Sequence, residues 1–567
     1  MKKHVAWLIA VMVIAPAAGC SGREAATDAG YDGGTGRDAG VDAGADAGAP
    51  PQVYKDTPYP QEFHKNYFKA DGLAFGDSSA AAFDQSQKLW VGGSGGIMGF
   101  DGTAWSASAV TDPVRSIVIG MGGVLWAAGP GSVYRLGASG WELFATVGGV
   151  SAIAVRGDGG LWLAETGGLG IVDAAGAYSR VVADPALDAR AIIEASGTVY
   201  VATGHGVLSY DLALTAVRVY TQADGLPSND VRSLALDPEN LLWAGCAGGL
   251  ANKGCGCGGT VFTPVTGTDG LPYDDVTGVH VIAAGDLLIS TKDGAIRWQS
   301  GKRFRYYNGR YWLPSNDVRE ATASADGTLW FATAEGVGRV WTESYTLEKK
   351  AAHYQAIMRE RHNRLGYFTG CYLDKPGDPS KWRNGDDDND GQWTGMYLGA
   401  LSFQYSVTKD PQVRQWAAES MQAMLKLESV AGGVGFFART LVPGAECEAK
   451  QKSGGKWRLD DTGVWCWKGD TSSDEFVGHV YGLSLYYDLV ADDAEKQQIA
   501  ATIGRILSRL IDTGYILTDT DGHQSTDGHF DPLFMETVGL FGDAGLNGAM
   551  ILGGLKFAYR ITGEQKF

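Results

Sequence analysis

The residues best suited to chemistry are carboxylates at the predicted starts of two apolar helices in the C-terminal third. Asp390 lies in the loop just before one helix, and Asp474 and Glu475 open another. Hydrolysis of a glycosidic bond usually needs two carboxylates, one on each side of the sugar. We therefore predict Asp390 and Asp474 as catalytic residues, with Glu475 in reserve. The alternative role is structural, since acids in a first helical turn also favour the helix dipole.

Glu475 and His479 are four residues apart, which puts them on one face of an otherwise apolar helix. Burial there would raise the pKa of the Glu475 carboxyl and suit it to general acid catalysis. Nearby aromatic rings are predicted to stack on sugar faces, and nearby basic side chains to hold a uronate carboxylate. These substrate-binding candidates are Trp393, Tyr397, Phe436, Arg439 and His479.

An Asp-x-Asp-x-Asp-Gly segment covers residues 386–391. Alternate carboxylates followed by glycine match the first half of a calcium-binding EF-hand loop, so Asp386 and Asp388 are candidate calcium ligands. The twelfth position of such a loop is Tyr397 instead of the usual glutamate. Helix capping or substrate contact is the competing interpretation. Calcium is the one cofactor that we infer from the sequence.

The elements that position these residues are helices. They are predicted at residues 347–365, 393–403, 411–430, 474–490, 494–512 and 546–561. Strongly apolar helices alternate with amphipathic ones, which indicates an inner and an outer layer. With acidic, aromatic loops before the inner helices, residues 346–567 resemble the six-hairpin glycosidases, such as the unsaturated glucuronyl hydrolases. The resemblance implies an α/α toroid that acts on carbohydrate, although no catalytic motif of a named family matches residue by residue.

A complete toroid of that type has six hairpins, whereas the six predicted helices would make three. Residues 561–567 have the pattern of a helix pair that is beginning. We therefore expect the sequence to be a fragment, or its toroid to be shortened.

A different pattern recurs seven times between about residues 67 and 345. Each copy has Leu-Trp or an equivalent pair, small or β-branched residues and a glycine-rich turn, with aligned positions at 90, 126, 162, 200, 243, 288 and 330. A period near 40 residues with several short strands per unit is typical of propeller blades. We predict a seven-bladed β-propeller whose tryptophans pack between blades. No cluster of charge or histidine is predicted at one face of the ring.

The repeats resemble the two-component-regulator propeller repeat. The matching segments are residues 224–231, 269–272, 313–318 and 326–333. In that family such propellers often form the periplasmic sensor part of hybrid histidine kinases. We find neither a kinase nor a transmembrane helix in this sequence, so the signalling role is not carried over.

Cysteines occur in two groups that suit an oxidising compartment. Cys246, Cys255 and Cys257 interrupt one repeat, and we predict a disulfide from Cys246 to Cys255 or Cys257 in preference to a metal site. Cys447 and Cys466 flank a charged insertion and are predicted to bridge it.

The N-terminus has the pattern of an export signal. Two lysines precede an apolar run, and Ala-Ala-Gly precedes Cys20. This resembles a bacterial lipobox, which implies cleavage before Cys20 and lipidation of its thiol. Ser21, which follows, points to the outer membrane under the sorting rule of enteric bacteria. Residues 20–52 are almost all Gly, Ala and Asp, and we predict a solvated tether.

Amino-acid composition and net charge exclude some classes of protein and of binding partner. Aromatic residues make up 11% of the 567 residues, which excludes a disordered chain, and the net charge of −18 argues against nucleic-acid binding. The sequence therefore predicts a multidomain protein: a lipoprotein signal at 1–19, the tether at 20–52, an all-β seven-bladed propeller at 53–345 and an all-α toroid-like domain at 346–567.

The predicted function is that of an exported protein, anchored by lipid at the bacterial cell envelope, that binds or processes polysaccharide or oligosaccharide. Glycoside hydrolase or polysaccharide lyase chemistry in the helical domain is a hypothesis. The alternative is a non-catalytic surface scaffold whose propeller recognises a partner.

Overall fold

The computed structural model describes residues 56–254, 261–299, 304–375, 378–386, 388–537 and 544–567. All described residues belong to one compact unit, Asp56–Phe567. The predicted signal, Cys20, the tether, Cys255 and Cys257 lie outside the described residues. Among the described helices, none has the length and apolar character needed to cross a membrane.

Residues 59–345 form short antiparallel strands. They are β1 Tyr59–Tyr67, β2 Ser78–Phe83, β3 Leu89–Gly93, β4 Gly96–Phe100, β5 Trp105–Ala107, β6 Ser116–Ile119, β7 Leu125–Ala128, β8 Ser132–Gly137, β9 Gly140–Thr146, β10 Val150–Val155, β11 Leu161–Val172, β12 Tyr178–Asp188, β13 Ala191–Ala195, β14 Thr198–Thr203, β15 Gly206–Asp211, β16 Ala216–Tyr220, β17 Val231–Leu236, β18 Leu241–Cys246, β19 Gly249–Gly254, β20 Thr263–Val265, β21 Val276–Ala283, β22 Asp286–Thr291, β23 Gly294–Gln299, β24 Arg305–Tyr307, β25 Val318–Ala323, β26 Leu329–Thr333 and β27 Gly336–Tyr345.

Within the described part of this region, the strands make seven sheets in chain order, from β2–β5 to β25–β27. The first strands of successive sheets pack together in the series β2, β6, β10, β13, β17, β21 and β25, and β25 packs back against β2. The N-terminal strand β1 completes the last sheet by pairing with β27, with Tyr59 opposite Tyr345. Residues 59–345 are therefore a propeller-type domain that is closed by its own first strand.

The third sheet has three assigned strands because β11 doubles back on itself. Its first half pairs with β10 and its second half with β12. A Cβ on Gly160 would lie 2.5 Å from the carbonyl oxygen of Val172, so the two ends of β11 are adjacent. Gly167, with φ of +74°, lies at the reversal. One continuous segment thus occupies the place of two strands.

The repeated tryptophans pack between neighbouring sheets, as predicted. Trp90 lies in a buried cluster with Leu125 of the next sheet, and its ring meets Trp141 edge to face at 5.7 Å. Trp330 of the seventh sheet meets Phe100 of the first, with ring centroids 5.3 Å apart. These rings bury the apolar faces of neighbouring sheets, which a single sheet could not bury alone.

Ion pairs connect several sheets at the N-terminal ends of their first strands. Arg190 pairs with Asp188 and Asp230, Arg232 with Asp230 and Asp275, and Arg319 with Asp317 and Asp77. The expectation that no charge clusters at one face is therefore wrong. Each of these arginines follows an acid of its own repeat by two residues, and the packing of successive sheets adds an acid from the next repeat.

Helices dominate the remainder of the chain. They are α1 Leu347–Ile357, α2 Asp390–Thr408, α3 Pro411–Ser429, α4 Cys447–Ser453, α5 Ser473–Leu489, α6 Asp493–Asp512, α7 Pro532–Glu536 and α8 Ala544–Thr562. The six predicted helices correspond to α1, α2, α3, α5, α6 and α8. The first ends earlier than predicted, because one wide helical turn at Met358–His362 leads into a hairpin.

Short strands shape the loops between these helices. They are β28 Asn363–Arg364, β29 Tyr367–Phe368, β30 Cys371–Leu373, β31 Trp382–Asn384, β32 Leu441–Pro443, β33 Trp457–Leu459, β34 Trp465–Lys468, β35 Ile516–Thr518 and β36 Gln524–His529. Sequence analysis did not predict them. The helices α2, α3, α5, α6 and α8 share one buried core, which includes Leu398, Met424, Tyr486, Leu507 and Phe557.

Candidate functional site

Glycines bring the first turns of α2 and α5 together. They are Gly391, Gly395 and Gly399 on α2 and Gly478 and Gly482 on α5. A Cβ on Gly395 would lie 2.1 Å from the carbonyl oxygen of Gly478, so the backbones touch where side chains would otherwise separate them. Gly391 meets the start of α5 and Gly399 meets its second half, so the two helices run in the same direction. The loops that precede them therefore converge at one end.

Asp390 lies in the first turn of α2 with no exposed surface. Arg364 Nη2 is 2.8 Å from Asp390 Oδ2, and the Thr440 hydroxyl donates to the same oxygen. Arg364 also donates to the Leu441 carbonyl oxygen at 2.7 Å. A buried carboxylate needs such partners because removal from water penalises its charge. Asp390 thus anchors α2 to the hairpin at 363–368 and the segment at 440–441.

Glu475, in the first turn of α5, is also fully buried. Its Oε1 accepts from the Gln392 backbone N–H at 3.3 Å, and its Oε2 has no hydrogen-bond partner. Burial raises the pKa of this carboxyl well above its usual range, and the charge of Asp390 raises it further. The Gln392 N–H and Arg439 oppose the shift only in part. Glu475 therefore favours its protonated form, as the sequence predicted from burial.

His479 lies one turn beyond Glu475 and is likewise without exposed surface. Its Nδ1 is 2.8 Å from the Glu475 carbonyl oxygen, and its ring packs on Phe437 at 4.5 Å. Burial lowers its pKa to about 4, so the ring is neutral at pH 7. A neutral, buried ring does not offer a charge to a uronate, so the predicted substrate role of His479 gains no support.

Arg439 connects the loops that precede the two helices. Its Nε donates to the Asp470 carbonyl oxygen, and its Nη1 donates to the Asp388 carbonyl oxygen at 3.2 Å. Its Nη2 lies 3.8 Å from Asp527 Oδ2, which belongs to the hairpin of β35 and β36. Three acidic loops that are far apart in sequence therefore meet at one arginine, whose own side chain is almost completely covered.

A cavity of about 480 Å³ opens next to this junction. It is lined by Asp386, Asp388, Asn389, Trp393 and Lys468. The Trp393 ring is half-buried, so part of it faces the cavity. Among the predicted substrate-binding residues, Trp393 is the one that the structure places at an open surface.

The other predicted aromatic residues are core residues. Tyr397 packs against Phe368 with ring centroids 3.7 Å apart, and Phe436 lies at 6.1 Å from Trp467 with almost no exposure. Asp474, in contrast, is exposed at the start of α5. The structure therefore brings Asp390 and Glu475 together below the loops, while Asp474 lies at the surface.

Each candidate calcium ligand is paired with a lysine. Lys450 of α4 contacts Asp386, and Lys468 of β34 contacts Asp388. Among the described residues, no group of three or more His, Cys, Asp or Glu is arranged to hold a metal ion. The calcium site stays a prediction without support from this geometry.

A disulfide between Cys447 and Cys466 holds the segments that carry these lysines, which confirms the predicted bridge. Cys447 begins α4, three residues before Lys450, and Cys466 precedes Lys468 by two residues. Cys246 is a buried free thiol, and its predicted partners lie outside the described residues. Sequence analysis missed Arg364, Lys450 and Lys468, and the only available signal was their position in loops that flank the acidic segments.

Comparisons with known proteins concern mainly the repeats. A family model described as the two component regulator propeller matches residues 225–248. No curated protein sequence matches the chain.

Among solved structures, the chain is similar to the extracellular domains of two putative hybrid two-component systems from B. thetaiotaomicron. One is 16% identical with a TM-score of 0.41, over 49% of this chain and 40% of that chain. The other is 16% identical with a TM-score of 0.43, over 57% of this chain and 45% of that chain. A virginiamycin B lyase from Staphylococcus aureus is 13% identical with a TM-score of 0.40, over 50% of this chain and 99% of that chain. The chain spans less than half the length of the two extracellular domains.

Proposed function

We propose that this protein is exported, anchored by lipid at Cys20, and binds carbohydrate in the cavity beside Trp393. The observation that carries the proposal is the accessible tryptophan ring among carboxylate, amide and ammonium groups. An aromatic face packs on the C–H face of a sugar, and polar groups around it bond to hydroxyls and fix the orientation. The cavity volume of about 480 Å³ lies in the usual range for small-molecule sites.

Binding fits the geometry better than hydrolysis does. Glycosidases flank the scissile bond with two carboxyl groups that reach the substrate. Asp390 and Glu475 have no exposed surface, and Asp390 is held by Arg364 and Thr440. Asp474 is exposed but has neither of these acids as an accessible partner.

Glycoside hydrolase or lyase chemistry is the second candidate, and the protonated state of Glu475 favours it. A carboxyl that retains its proton near neutral pH suits a general acid. This role requires a movement of the loops at 384–390 or 469–472 that opens Glu475 to a sugar. We propose that the propeller-type domain has seven blades. Whether the helical region binds or cleaves carbohydrate, the propeller-type domain would supply a surface for a partner.

The domain arrangement is part of the same proposal. We infer that α2 and α5 belong to the inner layer of an α/α toroid and that α3 and α6 belong to its outer layer. The parallel pair of mostly apolar helices α2 and α5 supports this, as do the amphipathic sequences of α3 and α6. Lipidation at Cys20 and residence in the outer membrane rest on the sequence of the N-terminus.

The test is binding of a panel of neutral and acidic oligosaccharides, measured by calorimetry on protein that begins near residue 53. Trp393→Ala should weaken binding about tenfold or more, because it removes the stacking face. Tyr311→Ala is the matched control, since Tyr311 is an exposed aromatic residue of the propeller-type domain. Absence of binding by every saccharide, or equal binding by the Trp393 variant, contradicts the proposal and favours the protein-scaffold alternative.

Turnover is followed on the same panel by reducing-end and unsaturated-product assays. Turnover that is lost in Glu475→Gln while binding persists would establish the second candidate. Asp390→Asn and Asp474→Asn test the two carboxylates that the sequence singled out. Binding without turnover supports the binding function.

A further inference from the structure

We propose a second ligand site in the propeller-type domain, at the seam between its first and seventh sheets, for a small zwitterion with an apolar body, such as an amino acid. A cavity of about 310 Å³ lies there, between the turn after β2, the turn after β4 and the turn after β25. It is remote in sequence from the Trp393 cavity and does not depend on the carbohydrate proposal.

The floor of this cavity is apolar. It is formed by Phe83, Leu89, Phe100 and Trp330, which come from both sheets. Trp330 and Phe100 are 5.3 Å apart between ring centroids, and both rings are nearly covered by their neighbours. Small-molecule sites usually combine such a surface with a few polar groups that set the orientation. The floor therefore suits an aliphatic or aromatic side chain.

Arg339 lines the same cavity with unused donors. Its guanidinium lies over Trp330 at 5.3 Å and over Trp341 at 4.8 Å, and its buried Nε has no hydrogen-bond partner. Within the described part of the chain, the guanidinium makes neither a hydrogen bond nor a close ion pair with another residue, and its charge acts on Asp326 only at longer range. A buried donor without an acceptor is unfavourable, and a carboxylate is the acceptor that best fits a guanidinium.

Two negatively charged side chains also line the cavity that contains Arg339. Asp101 and Asp326 both line the cavity, and each uses its Oδ1 to accept hydrogen bonds within its own turn. Backbone and side-chain donors lower the pKa of Asp101 to about 2, and the Ser324 hydroxyl is the main cause of a lowered pKa at Asp326. Both are therefore ionised at neutral pH, and their Oδ2 atoms are acceptors for an ammonium group.

These charges match a ligand that carries both signs. Arg339 would bind its carboxylate, Asp101 and Asp326 its ammonium, and the floor its apolar body. Lys88 is also near Asp101, but its ammonium lies over the Trp90 ring at 4.4 Å and does not line the cavity. A purely anionic ligand would meet two carboxylates, and a purely cationic one would leave Arg339 without an acceptor.

The rim of the cavity is fixed before any ligand arrives. Gln87 has a φ of +64°, which is uncommon outside glycine, and its Oε1 accepts from the Ala325 backbone N–H at 2.9 Å. This bond connects the turn of the first sheet to the turn of the seventh. A preformed site binds a small ligand with less ordering of its own chain.

The experiment compares probes that differ by one charge: L-phenylalanine, 3-phenylpropanoate, which lacks the ammonium, and 2-phenylethylamine, which lacks the carboxylate. Binding to the full chain is measured by calorimetry and by saturation-transfer NMR. L-Phenylalanine should bind about tenfold more tightly than either analogue, since each analogue loses one charge-assisted contact. Absence of L-phenylalanine binding, or equal binding of the three probes, overturns the proposal.

Variants then assign the contacts. Arg339→Met should reduce L-phenylalanine affinity to that of 2-phenylethylamine on the wild-type protein, while Asp326→Asn should reduce it towards that of 3-phenylpropanoate. Arg135→Met is the matched control, because Arg135 also lies over an aromatic ring, Phe144, in another sheet. An unchanged affinity in a folded Arg339→Met protein rejects the site, and if that variant does not fold, the probe series on the wild-type protein still decides.

Discussion

Replacing Glu475 with glutamine should change how the stability of the helical region depends on pH. The folded protein retains the Glu475 proton to a higher pH than the unfolded chain does, because burial raises its pKa from a usual value of 4.5. The contribution of Glu475 to stability is therefore complete below pH 4.5 and is lost as pH rises towards the raised pKa. The folded protein holds one more proton than the unfolded chain between these two pKa values. The equilibrium constant of folding therefore changes up to about tenfold for each pH unit.

Glutamine reproduces the shape of the protonated carboxyl without titrating. Its carbonyl oxygen can accept from the Gln392 N–H as Glu475 Oε1 does at 3.3 Å. The two proteins should therefore be similar in stability near pH 4.5, and Glu475→Gln should become the more stable one as pH rises. For a domain of this size, a tenfold change corresponds to a difference of about 3–5 °C in Tm for each pH unit.

The assay is thermal unfolding followed by circular dichroism at 222 nm, between pH 4.5 and pH 8. Asp474→Asn is the control, since Asp474 is the neighbouring carboxylate on the surface of the same turn. Its Tm should follow the wild-type curve at every pH. Parallel curves for wild type and Glu475→Gln would refute the argument that Glu475 is buried in its protonated form.

Three further changes test the framework. Gly395→Ala should destabilise the protein strongly, since its Cβ would lie 2.1 Å from a carbonyl oxygen of α5. The control is Gly553→Ala, at an open position of α8, which should be neutral or stabilising by up to about 1 kcal/mol. Chemical denaturation measures the free energy of unfolding of both variants. Reduction of the Cys447–Cys466 disulfide, which spans 19 residues, should cost about 3 kcal/mol and lower Tm, and Cys447→Ser should make Tm insensitive to reductant. Deletion of β1 should leave the seventh sheet incomplete, so protease should cleave the propeller-type domain quickly while the intact protein resists.

The helices could be predicted closely because their signals are local. Pro411 begins α3 and Asp410 caps it, so the predicted range of 411–430 differs from the structure by one residue. The seven repeats were equally visible, because each copy carries its own Leu-Trp pair and turn. Periodicity and capping are properties of a few adjacent residues, which a sequence displays directly.

The environment of the candidate site depends on contacts between distant segments. Trp393 and Tyr397 are one turn apart on the same helix, yet one reaches a cavity and the other packs on Phe368. Glu475 is buried because glycines let α2 approach α5, and that contact joins residues more than 80 positions apart. Lys450 lies in the short helix α4, whose sequence carries no periodic signal. Sequence reasoning therefore identified the site's acids and missed the groups that neutralise them.

During synthesis, β1 is translated long before β27, the strand with which it pairs. Tyr59 is the first residue of β1, and its partner Tyr345 is the last residue of β27. At about 5–20 residues per second, the gap between these two residues takes on the order of tens of seconds to translate. Throughout that interval β1 has an open hydrogen-bonding edge and no native partner. Refolding from denaturant should be slow, because closure joins opposite ends of the domain.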